Sequence, residues 1–221
     1  MNELKFLVLH CTATPAGRWV TPQQVTQWHM GPREVKDKKG VTTGFVYKGI
    51  SYPTLAALPN DVIGGVPIRN LRGNGWDRDG YWKLVLLDGT VHEYYPNNRD
   101  AFVQANEITW GAIGSAMPRP FKNQLNWFAL HVCYVGGMSA DFKRAQDTRT
   151  AQQIAALKSI IQDVRSFAPH IQVLGHNQAD PKACPSFWVP KWLRSNKTEL
   201  GITDANIYTG DPYNASRLRF A

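Results

Sequence analysis

Two short apolar runs end at histidines, and this is the feature that most constrains the chain. Residues 4–9 (LKFLVL) lead directly into His10, and residues 171–174 (IQVL) are followed by Gly175 and His176. Short aliphatic runs of this kind, bounded by polar residues or glycine, read as strands buried inside a sheet. In open α/β sheets, catalytic groups collect at the carboxyl ends of the strands, where both histidines fall. A third run, residues 129–135 (ALHVCYV), closes on Gly136-Gly137 and reads as a further buried strand.

Helices are signalled between these strands. Thr21-Pro22-Gln23-Gln24 carries the capping-box pattern, with Thr21 as N-cap, proline at the first helical position and Gln24 at N3. Val25, Trp28 and His29 then share one helical face. Thr150-Ala151-Gln152-Gln153 repeats the box, and Ile154, Leu157, Ile160, Ile161, Val164 and Phe167 follow at helical spacing up to Pro169. A short closing helix is expected over 188–196, begun near Pro190.

Asp88-Gly89, between residues 81–87 and 90–95, predicts a tight hairpin. Residues 31–78 are looser, basic and punctuated by Gly and Pro, with a hairpin-like stretch over 45–52 that turns at Lys48-Gly49. This segment reads as an insertion after the first helix, decorating the domain. Its densest charge cluster, Arg33 to Lys39, reads as a solvated loop. The expected fold is α/β, a mixed central β-sheet flanked by helices. The expected organisation is one domain over 1–200, with the insertion at 31–78, and a peripheral C-terminal tail at 201–221.

Hydrophobic residues make up 43% of the chain and charged residues 19%, the balance of a globular protein. No apolar run reaches about 18 residues, so no membrane insertion is expected, and the N-terminal apolar run reads as a core strand rather than a secretion signal. Three cysteines, Cys11, Cys133 and Cys184, fit a reducing compartment better than a disulfide framework. The net charge of +8 favours polyanionic partners. Nucleic acid is disfavoured among them, since Glu34 and Asp37 dilute the basic cluster.

His10, His176 and Cys184, the last lying eight residues past His176 on a Pro-rich loop, form a set of three N/S donors of the kind that holds a catalytic zinc with one position left for water. Such a metal acidifies water and polarises a carbonyl, which suits amide hydrolysis. On spacing alone, a buried cysteine and two satisfied structural histidines are the better account of these residues. Cys11 adjoins His10 but points to the opposite face of the strand, so it reads as core.

The segments Val8-Leu9-His10-Cys11-Thr12-Ala13-Thr14, Asp79-Gly80-Tyr81, Asp88-Gly89-Thr90-Val91 and Pro181-Lys182-Ala183-Cys184-Pro185-Ser186-Phe187 resemble, in order and content, the type-2 N-acetylmuramoyl-L-alanine amidases. That family includes phage amidase endolysins and peptidoglycan recognition proteins. The resemblance covers about residues 4–30 and 76–196, with the Cys184 segment its most specific part. It implies a Zn2+ site on His10, His176 and Cys184, and catalytic roles for Tyr81 and Lys182. A lysine ammonium aimed at the carbonyl oxygen would stabilise its developing charge. A phenol beside the attacking water would orient it or pass a proton to the leaving amine.

Trp82 and Gly111 stand where many relatives have histidine, which alters substrate contacts or a proton route. His131 occupies a position that is usually glycine in relatives; support of the metal site or a substrate contact is one reading, and a core histidine bonded to a backbone carbonyl is the favoured one. His29 reads as a packing residue of the helix face, His92 as hairpin surface and His170 as a solvated turn residue. The implied function is cleavage of the amide between N-acetylmuramic acid and L-alanine in bacterial peptidoglycan by a phage endolysin. Such a protein is held in the host cytoplasm before lysis, and a monomer is favoured. The alternatives are a non-catalytic peptidoglycan-binding protein and a cytosolic muropeptide-recycling amidase. Some phage members of the family also contact RNA polymerase, which no residue here supports.

Overall fold

A computed structural model describes residues 1–218 of the chain; the last three residues of the expected C-terminal tail lie outside it. The polypeptide divides into two compact units, one formed by Met1–Trp19 with Tyr81–Ala221 and the other by Val20–Gly80.

The first unit is built on a five-stranded mixed sheet. Its strand order is Val91–Glu93, Lys83–Val85, Ala129–Tyr134, Phe6–Cys11 and Gln172–Gly175. The first two strands form the antiparallel hairpin expected around Asp88-Gly89, and the remaining pairings are parallel. Gly89 turns the hairpin at φ +84, in the left-handed region that favours glycine. Phe6–Cys11 lies between two parallel neighbours and is buried along its whole length, which is why it reads as a continuous apolar run.

Strand alternation divides the side chains between two cores. Leu7, Leu9, Cys11, Leu130, Val132, Tyr134 and Val173 face a layer that includes Leu157, Ile161 and Val164 of the helix Ala151–Phe167. Cys11 is therefore core, as its parity predicts. Phe6, Val8 and Leu174 belong to a second cluster, which is completed by Met117 and Leu125. Full burial of such side chains stabilises by about 1.5–3 kcal/mol each, so these two layers carry much of the folding energy.

The long helix begins with the expected capping box: Gln153 N–H donates to Thr150 Oγ1, and Thr150 N–H donates to Gln153 Oε1 at 3.0 Å. The Gln153 side chain is fully buried, and its amide also donates to the carbonyls of Val85 and Val135. One side chain thus caps the helix and ties it to the C-terminal ends of two strands. Part of the segment past Gly201, expected to be peripheral, instead joins the core among the described residues. Ile202 and Ile207 are buried, and the Asn206 amide donates to the carbonyls of Pro169 and Ile171. Isolated apolar residues in Asn- and Asp-rich sequence carry no periodicity from which their burial could be read.

The second unit opens with the helix Pro22–Met30, capped by Thr21 and Gln24 as expected. The cluster Arg33 to Lys39 is a loop only in its second half: Arg33–Lys36 is a strand pairing antiparallel with Thr42–Tyr47, which pairs in turn with Ile50–Tyr52, and residues 37–39 enter the connecting turn. Its charges are nonetheless solvated, Glu34 meeting Arg72 at 2.7 Å and Lys36 at 3.3 Å. Phe45, Tyr47, Leu58, Ile63 and Ile68 give this unit a core of its own. No helix among the described residues is long and apolar enough to cross a membrane.

Replacing Gln153 with Leu should remove the buried amide donor and lower unfolding stability by about 1–3 kcal/mol. The expected readout is a lower urea midpoint at unchanged m value; an unmoved midpoint would mean that the strand ends do not depend on this contact.

Candidate active site

The site begins with the register of the central strands. In a parallel pair, partnered residues project from the same face, and Cys133 is partnered with His10 while His131 is partnered with Val8. Two-residue alternation therefore puts His10, His131 and Cys133 on one face of the sheet. The His10 and His131 rings lie 5.2 Å apart between centroids, and His10 Nε2 is 3.0 Å from His131 Nδ1. His131 Nδ1 thus meets an imidazole rather than the backbone carbonyl expected from sequence. The register supplies another imidazole first.

On the other side of the central strand, Gln172–Gly175 runs into the short helix His176–Ala179. Gly175 is packed so closely that a Cβ there would come within 2.6 Å of Asn177 Oδ1 and 2.8 Å of Pro185 Cδ. That close approach needs glycine and folds the following loop back onto the sheet edge. The Asn177 N–H donates to the Cys184 carbonyl at 2.7 Å, and the Tyr134 hydroxyl donates to the Pro185 carbonyl at 2.7 Å. Cys184 Sγ in turn accepts the Cys11 N–H at 3.2 Å. The sulfur is thus held by backbone over the end of the strand that carries His10.

As a result, one donor atom from each of His10, His176 and Cys184 lies within 4.8 Å of the others. Among the described residues this is the one grouping of three or more His, Cys, Asp or Glu able to hold a metal ion. His10 Nδ1 is 3.7 Å from Cys184 Sγ. Zinc bonds of about 2.0 Å to nitrogen and about 2.3 Å to sulfur span about 3.5 Å across a tetrahedral angle, so this pair of donors is close to the spacing that ion requires. Burial and the neighbouring Cys11 sulfur hold the Cys184 thiol well above its ordinary pKa. A coordinated cation would reverse that preference.

Asp180, which the sequence reading passed over, anchors the second histidine. Its Oδ2 is 3.4 Å from His176 Nε2, one helical turn away, and its carboxylate accepts the Gly114 N–H at 3.1 Å, the Ser115 N–H at 2.8 Å and the Ser115 hydroxyl at 2.6 Å. Burial raises the pKa of this carboxyl, but the hydrogen bonds from His176, Ser115 and Gly114 outweigh it and leave the group well below the usual carboxylate range. The His-x-x-x-Asp spacing on a helical start was the available signal.

Tyr81 opens the hairpin segment, with its ring centroid 5.2 Å from that of His10. Part of its surface is exposed, yet the phenol lies deep enough that desolvation, aided by the sulfurs of Cys133, Cys184 and Cys11, raises its pKa well above the ordinary value. The hydroxyl and the Cys133 thiol share a hydrogen bond. Tyr81 therefore stays protonated near neutral pH and is suited to donating a proton or hydrogen bond. Lys182 is exposed on the loop two residues before Cys184, and its backbone N–H donates to the Asp180 carbonyl at 2.8 Å.

The other histidines fall outside the cluster. His29 is buried on its helix, stacked on Trp76 and close to Asp79. His92 packs edge-on against Tyr94, and His170 is exposed. His131 is fully buried and, among the described residues, its Nε2 has no hydrogen-bond partner. Such an orphan costs about 1–3 kcal/mol, so folding energetics alone would favour an apolar residue there. Burial, reinforced by the charge of His176, lowers the His131 pKa to about 3, and the ring is neutral.

Asp180→Ala should speed hydrogen exchange at the Gly114 and Ser115 amides by about tenfold or more, since a hydrogen bond to a charged group is worth about 1.5–3 kcal/mol. The Leu130 amide in the central sheet should be unaffected. Because the native carboxyl is depressed, its contribution is complete above the unfolded value of about 3.9 and is lost as pH falls further; protection in the wild type should therefore hold down to about pH 4 and weaken below it. Equal protection in the variant would remove Asp180 as the anchor.

Comparisons with known proteins agree with this architecture. The model of the N-acetylmuramoyl-L-alanine amidase family matches residues 1–187. The endolysin of Enterobacteria phage K11 is 24% identical over 196 residues, covering 89% of each chain. The endolysin of Escherichia phage T7 is 27% identical over 143 residues, covering 64% of this chain and 82% of that one. Among solved structures, the Ph2119 endolysin from a Thermus scotoductus bacteriophage superposes with a TM-score of 0.50 at 20% identity, covering 92% of this chain and 88% of that chain. The amidase LysCS from Clostridium intestinale reaches 0.50 at 16% identity, covering 91% and 86%. With the family match running across residues 1–187 of 221, this chain belongs to the N-acetylmuramoyl-L-alanine amidase family.

Proposed function

We propose that this protein is a zinc-dependent amidase that hydrolyses the bond between the lactyl group of N-acetylmuramic acid and L-alanine in peptidoglycan, and that it serves a phage as its endolysin. The observation that carries this reading is the convergence of the His10, His176 and Cys184 donor atoms within 4.8 Å, beside Tyr81, in a member of an amidase family. The endolysin names of its phage relatives support the lytic role. All five proposed residues belong to the unit formed by Met1–Trp19 and Tyr81–Ala221.

His10, His176 and Cys184 would hold the ion. Zinc bound there supplies Lewis acidity toward the amide carbonyl and acidifies water, both useful at neutral pH. The remaining work falls to the side chains. The protonated Tyr81 phenol orients the attacking water and donates toward the leaving amine. The Lys182 ammonium, reaching in from its exposed loop, stabilises the charge that grows on the carbonyl oxygen, an interaction stronger in the transition state than in the ground state. Asp180 keeps the His176 ring from turning. The net charge of +8 draws the protein toward phosphate-bearing wall polymers.

Digestion of purified sacculi should release L-alanine amino groups without new reducing sugar ends; reducing ends without amines would make the protein a glycosidase. Chelation should abolish turnover, and Cys184→Ser should lose both stoichiometric zinc and activity. Tyr81→Phe should reduce kcat by about 10²–10⁴-fold. Lys182→Met should reduce it by about 10²–10³-fold. A fully active Cys184→Ser protein, or active material free of metal, would end the metal assignment.

A further inference from the structure

His131 is the one fully buried histidine that the proposed chemistry leaves without a task. Its Nδ1 is 3.0 Å from His10 Nε2, and its Nε2 is buried without a partner among the described residues. The opposite nitrogen of His10, Nδ1, is the one that faces Cys184 Sγ, at 3.7 Å. In a neutral imidazole one ring nitrogen donates and the other accepts, so a short contact between two rings requires one ring to present N–H and the other a lone pair. Two arrangements satisfy that contact. In one, His131 donates and the His10 proton sits on Nδ1, pointing into the donor cluster. In the other, His10 donates through Nε2 and its Nδ1 keeps an available lone pair.

We propose that His131 is a positioning residue: its Nδ1 accepts the Nε2–H of His10 and thereby keeps Nδ1 of His10 unprotonated toward Cys184 and His176. The role rests on the metal reading given above, because a lone pair at Nδ1 is what a ligand histidine must offer. Metal-bound histidines generally donate their second ring N–H to a carboxylate, a backbone carbonyl or water, which sets the tautomer and the ring plane. Here a buried imidazole stands where that acceptor belongs. His176 is served differently, by the Asp180 carboxylate at 3.4 Å.

The orphan nitrogen does not choose between the two arrangements, because among the described residues His131 Nε2 has no hydrogen-bond partner in either. With Nδ1 as the acceptor, the His131 proton sits on Nε2 and the arrangement carries the cost of an unpaired buried donor. Parallel pairing explains how the two rings meet: His131 lies on the neighbouring strand two residues before Cys133, the partner of His10, and on the same face. A carboxylate in that place would bring a charge into a fully buried position. An imidazole supplies the lone pair without one.

The test uses the full-length protein and zinc alone. Ring nitrogen chemical shifts should show His10 protonated at Nε2 both before and after zinc loading; protonation at Nδ1 before loading would overturn the proposal with no variant needed. Zinc affinity is then read by competition with a chromophoric chelator. His131→Leu should bind zinc about 10–100-fold more weakly than the wild type. His131→Asn, whose Oδ1 can stand near the place of Nδ1, should recover most of that loss, which a merely space-filling role would not predict. Equal affinity of His131→Leu and wild type, or His131→Asn no better than His131→Leu, would overturn the role. Failure of the wild type itself to bind zinc would sink the metal reading and this role together, and is told apart from failure of the role alone, in which the wild type still binds zinc.

Discussion

The parallel pairing of Phe6–Cys11 with a strand on each side is the constraint on which the rest of this structure depends. It buries six consecutive residues, and it brings three separate segments of the chain to one edge of the sheet. His10 comes from the middle strand, His131 and Cys133 from one neighbour, and His176 from the end of the other. A one-residue slip in either pairing would send a functional side chain to the opposite face, among the aliphatic side chains of the helix-covered core. The apolar layers that hold the sheet together are therefore also what sets the distances in the site.

The polar groups added to this edge are fastened mainly by backbone. Cys184 is gripped by the N–H of Cys11 at its sulfur and by the N–H of Asn177 at its carbonyl. Asp180 collects two backbone N–H groups and a hydroxyl while lying next to His176. Backbone donors have few ways to move, so groups held in this way would lose little further freedom on meeting an ion. Lys182 contrasts with them. It is exposed on its loop, and in the proposed reaction its charge would gain strength as a substrate displaces water around it.

The two histidines of the proposed metal site are supported by different chemistry. His176 leans on a carboxylate whose pKa is held down by several donors, and His10 leans on a fully buried neutral ring. Each solution suits its surroundings. Asp180 sits by a loop that offers backbone N–H groups, so its charge is compensated there. His131 lies inside the sheet, where the strand N–H groups are already committed to the ladder and a carboxylate would lack comparable support.

The secondary structure was legible because its signals are local. The capping boxes at Thr21 and Thr150, the Asp88-Gly89 turn and the apolar runs each correspond to an observed helix, hairpin or strand. The donor set of His10, His176 and Cys184 was suggested by the motifs and made specific by family resemblance. Signals that depend on distant partners were not legible. Arg33–Lys36 becomes a strand because the hairpin beside it offers an edge, and Ile202 and Ile207 are buried because the strand Gln172–Gly175 and its surroundings leave room for them. The sequence alone determined which segments are stiff, which are apolar and which residue types stand at their ends, since these follow from spacing along the chain. Only the tertiary structure decided that His131 meets His10 and that Asp180 braces His176 against the 114–115 loop. Those contacts follow from strand register and loop return, which join residues up to 121 positions apart and leave no periodic trace in the sequence.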